Sequence, residues 1–171
     1  PEAHFVFAGP ADAVAQSWLS ERRDPRIHYL GLINEQEKGG ALAACDLFCM
    51  PSIAEILPAV YLEAWSYGKA VIGGSAHGLY ELIEANGAGL TVRQDPELLA
   101  ARLVELLRDK PRRDQMGERG RKLVEQRFSK AALVYAFEAA YKAVQRQVAS
   151  KSLDSRAADT SQTQTVSGLR G

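Results

Sequence analysis

Short apolar runs alternate with helix-length stretches along most of this chain, and few architectures accept that rhythm. His4-Phe5-Val6-Phe7-Ala8-Gly9 reads as a buried strand that ends in a glycine turn. Ile27 to Leu30, Leu47 to Met50, Ala70 to Ile72 and Gly89 to Val92 repeat the pattern. Between them lie candidate helices at Ala11 to Arg22, up to Ala44 after an Asn34 cap, Pro58 to Tyr67 and Leu79 to Ala85. Strands joined by helices cannot be antiparallel hairpins; they predict a parallel sheet with helices on both faces, an α/β, Rossmann-like doubly wound fold.

Beyond residue 95 the strand signals stop. Asp95 caps a helical run through Leu107, Pro111 opens another to about Gln126, and Ser129 caps a last one from Lys130 to about Val148. Leu133, Phe137, Tyr141, Val144 and Val148 recur there at helical spacing, which predicts a stripe packed on the domain. From about residue 149 the chain turns to Ser, Thr, Gln, Asp and Arg. Such a segment buries too little apolar surface to offset its ordering entropy, so 1–148 is expected to fold and 149–171 to be a disordered tail.

Composition excludes several classes. The 21 basic and 21 acidic side chains cancel, so no basic footprint for nucleic acid exists. No apolar run approaches the ~20 residues of a membrane span. Cys45 and Cys49 have no second Cys or His pair near enough in sequence to complete a metal site. Free thiols suit a reducing compartment, so a cytoplasmic location is expected, with a membrane-peripheral one open to a longer protein.

Two glutamates eight positions apart carry the chemistry. Glu55 falls in the loop after Leu47–Met50, and Glu63 falls inside the following helix. Proline is favoured where a helix starts, because its missing N–H would be unsatisfied there, and Gly68 supplies the turn that ends it. The N-terminus of such a helix suits a phosphate or diphosphate. Glu63, roughly 8 Å along the helix, offers acceptors only, which suits the two O–H donors of a ribose. A bland reading competes: a glutamate in the early turns often just complements the helix dipole.

The segment Asp46-Leu47-Phe48, Pro51-Ser52, Glu55, Pro58, Leu62-Glu63-Ala64, Gly68 and Ala70-Val71-Ile72 closely resembles the Glu-x7-Glu signature of retaining GT-B glycosyltransferases, the glycosyl transferases group 1 family (glycosyltransferase family 4). The likeness continues through Gly78-Leu79-Tyr80-Glu81-Leu82-Ile83, Gly87, Gly89-Leu90, Val92, Gly117 and Arg127-Phe128-Ser129. It implies the C-terminal, donor-binding part of a transferase that moves a hexose from a nucleotide-sugar to a hydroxyl with retention, without a metal or other cofactor. Glu55 would approach the sugar and Glu63 the ribose. Backbone N–H groups around Ile56, Leu57 and Pro58 would face the diphosphate, and Leu32 and Ile33 would lie by the base. Ile56 stands where the family commonly has glycine, and His77 stands at another such position.

The resemblance also implies what lies outside this chain. His4–Gly9 matches the second strand of the family's domain, so the first βα unit, with its glycine turn and basic pair, and the N-terminal acceptor domain are expected elsewhere. With the order 3-2-1-4-5-6, strand 1 is central, so the strands on either side of it should lose a partner and leave unpaired backbone groups, and the chain alone should be inactive. The alternative is a non-catalytic nucleotide-sugar-binding or interaction module of the same fold. A receiver-like domain would need an acidic cluster at the strand ends, and none is apparent.

Overall fold

The computed structural model describes residues 2–55 and 57–147. The chain divides into two compact units, residues 1–124 and residues from 125 onward. The first alternates as expected: β1 (Phe5–Phe7), α1 (Ala13–Glu21), β2 (Ile27–Tyr29), α2 (Glu35–Ala44), β3 (Leu47–Met50), α3 (Ala59–Ser66), β4 (Ala70–Gly74), α4 (Leu79–Ile83), β5 (Gly89–Val92), α5 (Pro96–Arg108) and α6 (Lys110–Leu123). All pairings are parallel, but they form two sheets: β1 with β2, and β3-β4-β5. The expected doubly wound sheet is thus divided in two, and the division falls where the 3-2-1-4-5-6 order has strand 1.

Side-chain caps fix most helix starts. Asp12, Asn34, Asp95 and Asp109 each accept from a backbone N–H of the helix that follows. Asn34 and Glu37 form a full capping box, which satisfies two orphan donors reciprocally. Asp109, not Pro111, sets the start of α6, with the proline one residue inside.

The core gathers on the three-stranded sheet. Ala70, Ile72, Val92, Leu106 and Met116 form a buried cluster, and Tyr61, Trp65, Leu79 and Ile83 are fully buried. A Cβ on Gly117 of α6 would lie 1.8 Å from the Gly68 oxygen, so only glycine lets α6 lie this close to the turn after α3. Beside it Arg113, 6% exposed, donates to the Leu106 and Leu107 carbonyls at the end of α5 and to Asp46. The guanidinium thereby satisfies carbonyls that a helix C-terminus leaves without partners.

The β1 strand departs from the expected buried one. Phe5, Val6 and Phe7 are 42%, 55% and 43% exposed. A run of apolar residues specifies a strand, but burial needs neighbours on both faces, and a two-stranded sheet supplies few.

A π-helical turn, Val124–Phe128, precedes Ser129 of the second unit. The Ser129 hydroxyl accepts from the Ala132 N–H and opens the helix over 130–147. Its side chains Leu133, Phe137, Tyr141 and Val144 are exposed. The expected tail at 149–171 lies outside the described residues.

Candidate functional site

The loop between β3 and α3 is built by close approaches at the carboxyl ends of the strands. The Tyr61 hydroxyl, in the first turn of α3, donates to the Met50 carbonyl at 2.5 Å, and the Ser52 N–H reaches the same oxygen at 2.9 Å. Burial pushes the Tyr61 phenol up to about 12, and the nearby Glu55 carboxylate adds to the rise. At the end of β4, a Cβ on Gly74 would lie 1.7 Å from the Ser52 oxygen. Gln94, just past β5, donates to the Pro51 carbonyl. The loop that carries Glu55 is therefore tied to β3, β4 and the exit of β5.

α3 differs from its neighbours at its start. Pro58 is the N-cap, with φ −70° and ψ 111°, and no side chain caps the helix. The expectation placed Pro58 one position further in. Its ring lacks an N–H and its ψ is extended, so the first helical residue is Ala59. Among the described helices of eight residues or more, α3 alone lacks a side-chain cap. Its first-turn N–H groups carry the partial positive charge of the helix end, unmatched by a local side chain. Gly68, at φ +68°, ends the helix as expected.

Glu63, 36% exposed, is the fifth residue of α3, at the start of its second turn, and meets Lys38 of α2. The Lys38 Nζ is 3.1 Å from Oε1 and 3.0 Å from Oε2 of Glu63. Oε2 is covered, and it accepts no aligned hydrogen bond from the described residues although the ammonium is near. The ammonium thus sits against both oxygens of this carboxylate. The same ammonium is 2.9 Å from a Glu35 oxygen. Glu35 first, and then Glu63, raise the Lys38 pKa above its ordinary value.

The other expected site residues fall nearby in chain order but differ in setting. Glu55 is half-buried, Leu57 is exposed and Pro58 is buried. Leu32 is 81% exposed and Ile33 half-buried, in the turn that Gly31 (φ +65°) makes between β2 and α2. Ile56 lies outside the described residues. His77 is exposed in the loop before α4. Lys38, Tyr61 and Gly74 were not singled out from sequence. A glycine pair closing an apolar strand was the available signal for Gly74.

An apolar cavity of about 450 Å³ lies elsewhere, lined by Phe7, Pro10, Val14, Trp18, Leu19 and Tyr29, and it includes none of the expected site residues. No three His, Cys, Asp or Glu among the described residues gather as metal ligands. No helix among them is long and apolar enough to cross a membrane. Burial pushes the Cys49 thiol up to about 11 and also raises that of Cys45.

Comparison with known proteins bears on the fold and the family. The chain is 38% identical over 111 residues to a GDP-mannose-dependent monoacylated alpha-(1-6)-phosphatidylinositol monomannoside mannosyltransferase from Corynebacterium glutamicum, a match covering 60% of the chain and 29% of that protein. It is 31% identical over 136 residues to sulfoquinovosyl transferase SQD2 of Arabidopsis thaliana, covering 77% of the chain and 26% of that protein. The chain thus spans less than a third of the length of these relatives. The fold is shared with Anabaena Alr3699/HepE, solved in complex with UDP-glucose, at a TM-score of 0.69 and 22% identity, covering 84% of the chain and 42% of that one. Residues 1–109 match the family model described as glycosyl transferases group 1: the chain belongs to that family.

Proposed function

We propose that this chain is the donor-binding portion of a retaining glycosyltransferase, one that moves a hexose from a nucleotide-sugar to a hydroxyl acceptor. The observation that carries the reading is the start of α3: a helix without a side-chain cap, at the carboxyl ends of β3 and β4, flanked by Glu55 and Glu63. A diphosphate suits those N–H groups because the helix end is positive and its donors lack other side-chain partners. Leu57, Ala59 and Val60 supply these N–H groups, since Pro58 has none to give. Glu63, whose carboxylate offers more acceptor sites than the Lys38 ammonium uses, takes the ribose diol. Glu55 orients the sugar, and Leu32 and Ile33 border the base. Helix N–H groups and basic side chains neutralise the leaving diphosphate, so no metal is assigned to the reaction.

Oriented donors aimed at developing charge commonly supply the largest part of catalysis, and loss of one costs about 10²–10³ in rate. The family's glycine turn and basic pair, and its acceptor domain, are not among these residues. The chain by itself therefore binds donor but turns it over far more slowly than a full-length enzyme. Folded residues 1–148 are proposed to be the binding unit.

Calorimetric titration with UDP, GDP and ADP tests this. Binding of one of them, lost on Glu63→Ala with the fold intact, is the expected result. No binding to any nucleotide, or binding unaffected by Glu63→Ala, would refute it and leave the non-catalytic module as the better reading. A donor-hydrolysis assay at a full-length enzyme's rate would refute the inactivity of the chain alone.

A further inference from the structure

Lys38 holds the Glu63 carboxylate, and its own place is set by α2. The capping box at Asn34 and Glu37 fixes the first turn of α2, so Glu35 and Lys38, three apart, stand on one side of it. From there the ammonium spans two carboxylates: Glu35, whose side chain is 90% exposed, and Glu63, 36% exposed. Gly39 lets the helices approach at this point, since a Cβ there would lie 2.6 Å from the Tyr67 hydroxyl at the end of α3.

A glutamate side chain has three rotatable bonds, and an unheld one samples many carboxylate positions. Here Oε1 accepts from the ammonium, while Oε2 is near the charge without an aligned hydrogen bond. The ammonium fixes the carboxylate plane from beside both oxygens, and a carboxylate, with about four lone-pair sites, keeps acceptor capacity for a ligand. Resting on the donor-binding reading above, we infer that Lys38, anchored by Glu35, is a positioning residue for Glu63 and sets the preference of the site for a ribose over a 2′-deoxyribose nucleotide. Lys38 acts through Glu63; the diol is taken by the carboxylate. Without the ammonium, Glu63 must be ordered at the moment of binding, and the contacts most dependent on its geometry weaken first.

The experiment is calorimetry on the full chain with UDP, GDP and their 2′-deoxy counterparts, for wild type, Lys38→Met, Lys38→Arg, Glu35→Gln and Glu63→Ala. The wild type is expected to favour the ribonucleotide by about tenfold, the worth of one hydrogen bond to a charged group. Lys38→Met should weaken the ribonucleotide by about that factor and the deoxynucleotide by less than about threefold, and Lys38→Arg should restore most of the preference. Glu35→Gln, on an exposed side chain that cannot compromise the fold, should lower the preference by about threefold. Lys38→Met with wild-type affinity and preference, while Glu63→Ala loses both, overturns the inference and leaves the donor-binding reading intact. Should Lys38→Met fail to fold by circular dichroism, Glu35→Gln decides: an unchanged preference overturns the inference. A wild type that binds no nucleotide removes the parent reading and this inference together.

Discussion

Replacing Tyr61 by phenylalanine removes one oxygen from the junction of β3, its loop and α3. The hydroxyl is fully buried and donates to the Met50 carbonyl at 2.5 Å. An internal hydrogen bond contributes about 0.5–1.5 kcal/mol net, and an orphaned buried acceptor costs about 1–3 kcal/mol. The Met50 oxygen is not orphaned by the change, because the Ser52 N–H still reaches it at 2.9 Å. The lower range therefore applies: about 1 kcal/mol, or about 2–4 °C in Tm. The pH dependence is a separate check. The folded phenol holds its proton to about 12, against 10 for an ordinary tyrosine, so unfolding releases a proton in between. The stability it contributes is fully present below pH 10 and is lost as pH rises from 10 toward 12. Urea denaturation at pH 8, 10 and 11.5 measures both. The Tyr61→Phe deficit should be about 1 kcal/mol at pH 8 and should shrink above pH 10, with lysine and other tyrosine titrations cancelling in the difference. A loss above about 3 kcal/mol, or a deficit that grows with alkaline pH, would refute the reasoning.

Three further outcomes follow from the same contacts. Gly74→Ala places a Cβ 1.7 Å from the backbone oxygen of Ser52, which cannot rotate away; urea denaturation should show a loss of at least about 1–3 kcal/mol, with weaker nucleotide binding. Arg113→Met strips two α5 carbonyls and Asp46 of their donor, a loss of about 1–3 kcal/mol by thermal unfolding, whereas Asp46→Asn, on a side chain 70% exposed, should cost under about 1 kcal/mol. Cys49, its pKa near 11 through burial, should resist iodoacetamide at pH 8 in the native chain and label promptly in urea, because only the thiolate reacts.

How far the fold could be read from sequence depended on whether the signal was local. Asn34 with Glu37, Asp95 and Gly68 act on their own backbone within a few residues, and each does in the structure what its chemistry predicts. The strand order was likewise readable, because it follows from the family resemblance; the division into two separate sheets was not. Burial was not. Phe5-Val6-Phe7 has the composition of a core strand, yet exposure is decided by neighbours that a local run does not encode. The π-helical turn at Val124–Phe128 has no recognised local signature either. At the site, Glu55 and Glu63 stood out by spacing, whereas Lys38 did not. Glu35 and Lys38 read as an ordinary surface pair three apart, and the partner that changes their meaning, Glu63, is 25 positions further on.

The positions of the two glutamates are set by different parts of the molecule. Glu55 belongs to a loop, but that loop is held by Tyr61 and Ser52 on the Met50 carbonyl, by Gly74 against Ser52 and by Gln94 on Pro51. It therefore follows the sheet edge, and rigid support of this kind is what a site that must place a sugar requires. Glu63 belongs to a helix, but its carboxylate is placed by a neighbouring helix through Lys38. Changes at the ends of β3 and β4 should thus act on the sugar end of a donor, and changes in α2 on its nucleoside end. The eight-position spacing visible in the sequence joins two supports that the sequence does not display.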